Sequence, residues 1–313
     1  MPQVAVKMGT GSVTVPSAII LGGEVSGGVL VPGMLVIGGK VNHSPVNLLQ
    51  PELDPRIRFA CASEHAYYAE SGKICFAAPD EWPLEFRDGV AVGRHEPEPE
   101  RTNYTLYTRT PGNMRRAVSG GIFSFSDFDK VSDGVLPSAR FTFETPQASN
   151  YSLTGGRKES RGFDGEVTYS CFVQAEQGDI MTFYADGSDY LALTVTSDKE
   201  RKIMRMMGTV DTLRYCWLGL RGISGHLVAI LSGCQSEHGS TATSPILTDN
   251  TPATRAVASV TLDTQGASGC RIHFSNGDTE EHRFPDGATE FSLPLASRDW
   301  GERYIQRIEY IQE

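Results

Sequence analysis

Residues 54–109 read DPRIRFACASEHAYYAESGKICFAAPDEWPLEFRDGVAVGRHEPEPERTNYTLYTR, and this stretch decides how the chain divides. Ile57–Cys61 and Lys73–Phe76 have the short apolar character of strands, with Ser71-Gly72 as a turn. Asp88-Gly89 separates Leu84–Arg87 from Val90–Val92, which is a hairpin signal. The run His95–Glu100, HEPEPE, holds two prolines and three glutamates. Proline removes a backbone donor and like charges repel, so the run is expected to be extended and solvated. It marks the expected boundary between a connector at 51–100 and a domain at 101–250.

Upstream, residues 1–50 carry nine glycines and only three charged residues, Lys7, Glu24 and Lys40. Short Val, Leu and Ile runs alternate with Gly pairs, as tight turns or close backbone approaches require. Such strands cannot bury enough surface alone. The block therefore reads as an arm that docks on other subunits or proteins through Val29, Leu30, Val31, Met34, Leu35, Val36 and Ile37.

Downstream, candidate strands are Tyr104–Tyr107, Gly121–Ser124, Ala139–Glu144, Glu166–Gln174, Asp179–Tyr184, Tyr190–Thr196, Arg214–Leu220 and Leu227–Leu231. Turn clusters such as Ser132-Asp133-Gly134 and Asp186-Gly187-Ser188 separate them. Short strands at regular spacing predict a β-sandwich of jelly-roll type over 101–250. Lys199–Met207, flanked by Ser197-Asp198 and Gly208, is the one helical candidate and reads equally well as a strand. Residues 236–254, rich in Ser, Thr and Pro, read as a linker. Residues 251–313 are expected to form a small β-domain, with alternation in Val257–Leu262, Arg271–Phe274 and Tyr304–Ile311 and a hairpin turn at Asn276-Gly277. The fold class expected is thus all-β.

Composition narrows the function. The 313 residues have a formal net charge of −10. That argues against wrapping DNA or RNA, which needs a basic face. No apolar run reaches the roughly 20 residues of a membrane span, and the N-terminus lacks the features of a secretory signal. The six cysteines show no C-x-x-C spacing and read as buried free thiols of a protein made in a reducing cytoplasm.

Chemistry-bearing constellations are sparse. No G-x-S-x-G elbow and no phosphate-binding glycine loop occur. Cys216, His226, Cys234 and His238 have no zinc-finger spacing, so no metal site is assigned. Asp127, Asp129 and Asp133 read as a solvated turn rather than a calcium loop, because a closing Glu is missing. Glu159, Asp164 and Glu166 alternate with Arg157, Lys158 and Arg161, which suits a solvated loop better than a glycosidase pair. No cofactor and no catalytic residue are expected. Sugar binding asks for less: an aromatic platform and a few hydroxyl-recognising polar groups. Tyr184, Asp186, Asp189, Tyr190 and Trp217 are the candidates, the competing reading being that the three aromatics belong to the core.

Two blocks carry a family resemblance. Arg56–Tyr67 (RIRFACASEHAY) leading into Glu98–Asn103 (EPERTN) resembles a block of tailed-bacteriophage tail-fibre and other virion structural proteins. The segments Asp263–Cys270, Phe274–Asp278, Asp299–Gly301 and Tyr304–Tyr310 resemble the small terminal β-domain of such fibres. The resemblance implies a non-enzymatic virion protein on the tail or head surface, made in the host bacterial cytoplasm. It also implies a homotrimer, docking on other virion proteins, and a central module similar to carbohydrate-binding modules that meets a host-surface glycan. A head-fibre or capsid decoration protein and a glycan depolymerase are the alternatives.

Overall fold

The computed structural model describes residues 4–8, 11–15, 25–31, 34–39, 43–118, 122–128, 136–145, 149–154, 165–175, 180–183, 191–194, 200–208, 218–222 and 225–312. Among these residues the fold is all-β, with a single 3-10 turn at Pro111–Asn113 and every ladder antiparallel.

Two sheets form a frame. One has the order Thr279–Arg283, Gly269–Phe274, Ile305–Ile311, Val46–Asn47, and the other Glu290–Ser292, Ser259–Asp263, Ile57–Ala60. Alternation sets which side chains turn inward. In Ser259–Asp263, Val260 and Leu262 are fully buried while Ser259 and Asp263 are exposed. Val46, Ile57, Ile272, Phe274, Ile305 and Ile308 close the same core with Trp82. The expected turns hold: Asp88-Gly89 joins Glu85–Arg87 to Val90–Gly93, and Asn276-Gly277 joins the Gly269–Phe274 and Thr279–Arg283 strands.

The expected division of the chain does not hold. The connector (51–100) and the C-terminal block (251–313) are one unit, because Ile57–Ala60 pairs with Ser259–Asp263; Val46–Asn47, from the end of the expected 1–50 arm, joins them by pairing with Ile305–Ile311. A backbone bridge also joins Arg94 to Ile305. Side chains from both segments share one core, Ile57 and Trp82 packing with Val260, Leu262, Ile272 and Ile308.

Between these halves the chain runs out into a second set of sheets. A five-stranded sheet has the order Ile122–Phe128, Ser138–Thr145, Gly225–His238, Gly165–Ala175, Glu200–Gly208. A three-stranded sheet has the order Arg115–Val118, Ser149–Thr154, Leu218–Gly222, and a further hairpin pairs Ile180–Phe183 with Leu191–Thr194. These antiparallel sheets occupy the segment expected to form the sandwich. The helical option over Lys199–Met207 is corrected to a strand, Glu200–Gly208, laddered along its whole length with the Gly165–Ala175 strand. A nine-residue ladder outweighs local helix propensity. Tyr104–Tyr107, expected as a strand, is not one. Tyr107 adopts φ 63°, which turns the chain after a lone bridge at Thr105.

The N-terminal arm is described as two hairpins, Val4–Met8 with Gly11–Val15 and Val25–Val31 with Met34–Gly39. Each forms its own two-stranded sheet.

Candidate functional site

The chain leaves the frame and returns to it at one place. Arg101–Asn103 runs out beside Ala253–Arg255, which runs back, in register from Arg101↔Arg255 to Asn103↔Ala253. This neck reverses two expectations. HEPEPE is extended but not solvated: His95, Glu96 and Glu98 are 3%, 9% and 4% exposed. The segment 236–254 is not a free linker either, for Thr241–Thr248 is buried throughout. Both segments read as solvated because their residue types are polar. The tertiary structure supplies each polar group with a partner instead.

Asn103 is the pivot. Its amide donates to the carbonyls of Cys234 (3.1 Å) and Ile246 (2.8 Å), and its side-chain oxygen accepts from the amides of Thr105 (2.9 Å) and Ser236 (3.1 Å). All of its polar capacity is used, as a buried amide requires. Thr248 continues the seam. Its hydroxyl donates to Thr105 O at 2.5 Å, and its amide donates to Thr108 Oγ1 at 2.8 Å. Gly239 sits where the Gly225–His238 strand ends, with φ +113°. That φ is one L side chains rarely adopt, so a substitution there is strained, and a Cβ would also displace the Arg101 guanidinium.

Two of the three glutamates of HEPEPE, Glu96 and Glu98, each meet an arginine from far along the chain, while Glu100 is exposed. Arg303 clamps Glu96 with two parallel bonds, Nε to Oε2 at 2.9 Å and Nη2 to Oε1 at 2.7 Å, and lies 3.7 Å above the Phe274 ring. Arg255 Nη1 lies 2.9 Å from Glu98 Oε2. Ser244 donates to Glu98 twice, from its amide and its hydroxyl, both at 2.6 Å. Burial pushes the Glu98 carboxyl up, but Arg255, His95 and the Ser244 bonds outweigh it and hold it below the usual carboxylate range. Glu237 shows the opposite balance. Burial raises it, and the bonds from Thr243 and Gln235 do not fully compensate.

Histidines complete the cluster. His95 Nδ1 is 2.8 Å from Glu85 Oε1, and Glu85 Oε2 accepts the Tyr68 amide at 2.9 Å. The His65 ring stands edge-on to His95 at 5.1 Å, and its Nε2 is buried without a hydrogen-bond partner. Burial, and the positive charge possible on His95, depress His65 to about 4.

An aromatic column closes the other side of the junction. Arg87 lies 3.6 Å from the Tyr68 ring, Tyr68 stacks on Trp300 at 4.6 Å, and Arg201 lies 5.6 Å from Trp300 and 5.5 Å from Phe172. Alternating cations and rings attract through the ring quadrupole. Tyr68 lies on the His65–Tyr68 strand, which pairs with Ile74–Ala77, and Trp300 on the turn before Ile305–Ile311, while Arg201 and Phe172 belong to the five-stranded sheet. Ala66, Ile74, Leu136, Phe172, Leu247 and Trp300 accordingly share one apolar cluster across the junction.

Glu98 and Arg255 are too buried for their charges to act on a solute. On the surface, a cleft of about 490 Å3 opens where the two ends of the frame meet, lined among others by His43, Ser268, Arg283, Asp286 and Gln312. His43 bridges it, with Nε2 2.9 Å from Gln265 O and Nδ1 against the Gln312 amide.

The residues expected to bind sugar, Tyr184, Asp186, Asp189, Tyr190 and Trp217, lie outside the described residues. Asp129 and Asp133 also do, and among the described residues no His, Cys, Asp and Glu group has the arrangement of a metal site. The docking residues Val29–Val31 and Met34–Ile37 lie on the second N-terminal hairpin, where Val29 pairs with Val36, Leu30 with Leu35 and Val31 with Met34. The neck residues were missed by the sequence reading. The available signal was the alternation of glutamate with proline in HEPEPE, since an extended, donor-poor strand is well suited to deliver carboxylates to buried arginines.

No family model and no curated protein matches this chain. Solved structures similar to it include one described as "CBM4 structure and function", at 13% identity over 43% of this chain and 92% of that one, with a TM-score of 0.27. Another, described as "BiXyn10A CBM1 APO", aligns at 10% identity over 46% of this chain and 99% of that one, with a TM-score of 0.24. At such scores neither likeness bears on what the chain does.

Proposed function

We propose that the chain is a non-enzymatic structural protein of a tailed-bacteriophage virion, a tail fibre, spike or adaptor. It docks through residues 1–50 and displays its inserted sheets to a host-surface glycan. The observation that carries this reading is the neck. The Arg101–Asn103 and Ala253–Arg255 strands, Asn103, and the Glu98–Arg255 pair fix a display module to a frame. A module held by buried polar bonds on both crossing strands transmits load without swinging, which is what a fibre or adaptor needs. The resemblance of the Arg56–Tyr67 and Glu98–Asn103 blocks to virion proteins supports the same assignment, and YADGSDY (Tyr184–Tyr190) supports the glycan role.

Two experiments test it. Deleting residues 1–45 should abolish incorporation into particles, and normal incorporation would refute the docking arm. Glycan arrays should be probed with the full chain, because cutting at 101 and 250 would break the neck. Binding lost in Tyr184→Ala and Tyr190→Ala is the expected result, and no binding at millimolar sugar would sink the glycan role.

A further inference from the structure

The five-stranded sheet carries an irregularity that brings two thiols together. Ser170 pairs with Gln235 and Phe172 with Ser232, so Cys171 alone stands opposite two residues, Gly233 and Cys234. Gly233 has φ +56°, the left-handed glycine of a bulge in which one strand carries an extra residue. The bulge sets Cys234 beside Cys171 across the ladder, near enough for each thiol to perturb the other. Cys171 and Cys234 are 0% and 3% exposed. Facing residues on antiparallel strands have Cα atoms about 4.5–5.5 Å apart, inside the roughly 4.4–6.8 Å window of a disulfide. The other described cysteines are placed differently. Cys61 bonds to the Ser63 and Ala256 carbonyls, Cys270 lies in the frame core, and Cys75 is on the Ile74–Ala77 strand.

We propose that Cys171 and Cys234 are a latent cross-strand disulfide site, closed by thiol–disulfide exchange while the chain folds and sealed once it has folded. The oxidant is a small-molecule disulfide such as oxidised glutathione. One cysteine thiolate attacks a sulfur of that disulfide, forming a mixed disulfide and expelling one small thiolate. The second cysteine thiolate attacks the cysteine sulfur of the mixed disulfide and expels the other. The two protein thiols lose two protons and two electrons, and two small-molecule thiols are formed. In the folded chain burial pushes the Cys171 thiol well above its usual range, which withholds the attacking thiolate. Chain folded under reducing conditions therefore keeps both thiols. The bond would pin the Gly225–His238 strand to its neighbour one residue from the neck, where the Cys234 carbonyl accepts the Asn103 amide.

The test is oxidative refolding of the full chain. Protein unfolded in denaturant and reductant is refolded in a mixture of reduced and oxidised glutathione, quenched with iodoacetamide, digested without reduction and mapped by mass spectrometry. A peptide pair linked through Cys171 and Cys234 is expected, together with a higher urea midpoint that reductant reverses. Cys171→Ser and, as a second variant should the first fail to fold, Cys234→Ala should lose both the link and the reversible shift. Chain folded in reductant should alkylate at these two positions at least tenfold more slowly than in denaturant. The proposal is overturned if both cysteines are recovered alkylated after oxidative refolding, or if either is linked to a different cysteine.

Discussion

The frame core and the neck are equally buried and are built from opposite materials. Val260, Leu262, Ile272 and Ile308 exclude water by apolar area alone, without direction or pairing. At the neck, Glu98, Arg255, Asn103, Ser244 and Thr248 exclude it by satisfying one another. An apolar core degrades gradually when trimmed. A polar one fails when a single partner is lost, because the remaining group stays buried and unsatisfied. The neck therefore specifies one geometry between the inserted sheets and the frame, whereas the frame core specifies little beyond which faces turn inward.

The comparison is broken most directly at Arg255. Arg255→Ala leaves the Glu98 charge buried without its cation, and a loss of about 3–5 kcal/mol is expected. Urea unfolding would check it, and a loss below about 1 kcal/mol would mean that water or another cation already serves Glu98. Leu262→Ala in the frame core should cost about 3 kcal/mol, within the range for buried leucines. Unlike Arg255→Ala, it should leave the proteolytic resistance of the 241–248 segment unchanged.

Acid sharpens the contrast. His65 has a folded pKa of about 4 against an ordinary 6.5, so between these values the unfolded chain binds the proton and the folded chain does not. Stability is then complete above about pH 6.5 and falls as pH drops toward 4, by about 3 kcal/mol from this group. Glu98, held below its usual range, adds a loss of the same sign at lower pH. His65→Gln should flatten the thermal midpoint between pH 6.5 and 4, and an unchanged slope would remove His65 from the account. The smallest effect belongs to the surface. Arg58→Ala removes an ion pair with Glu290 in which both side chains are more than half exposed, and no change in midpoint is expected.

Much of the frame was legible in the sequence. The Asp88-Gly89 and Asn276-Gly277 hairpins stand where the turn residues put them, and the alternation of Arg271–Phe274 and Tyr304–Ile311 gave the strands that line the core. The neck was not legible, because proline, glutamate, serine and threonine read as solvent-facing when their partners are unknown. Glu98 and Arg255 are 157 positions apart, and Glu96 and Arg303 are separated by 207. No local pattern records such pairings. The same holds for Ile57–Ala60, whose partner strand, Ser259–Asp263, lies at the other end of the chain.

By itself the sequence determined an all-β chain and the inward faces of its frame, since a two-residue period and the φ preferences of Gly and Asn act over a few residues. Tertiary structure alone decided that the two ends form one frame, that HEPEPE is buried, and that Cys171 meets Cys234. Those outcomes depend on which distant strands pair, and pairing is settled by the burial and polar satisfaction of the whole fold.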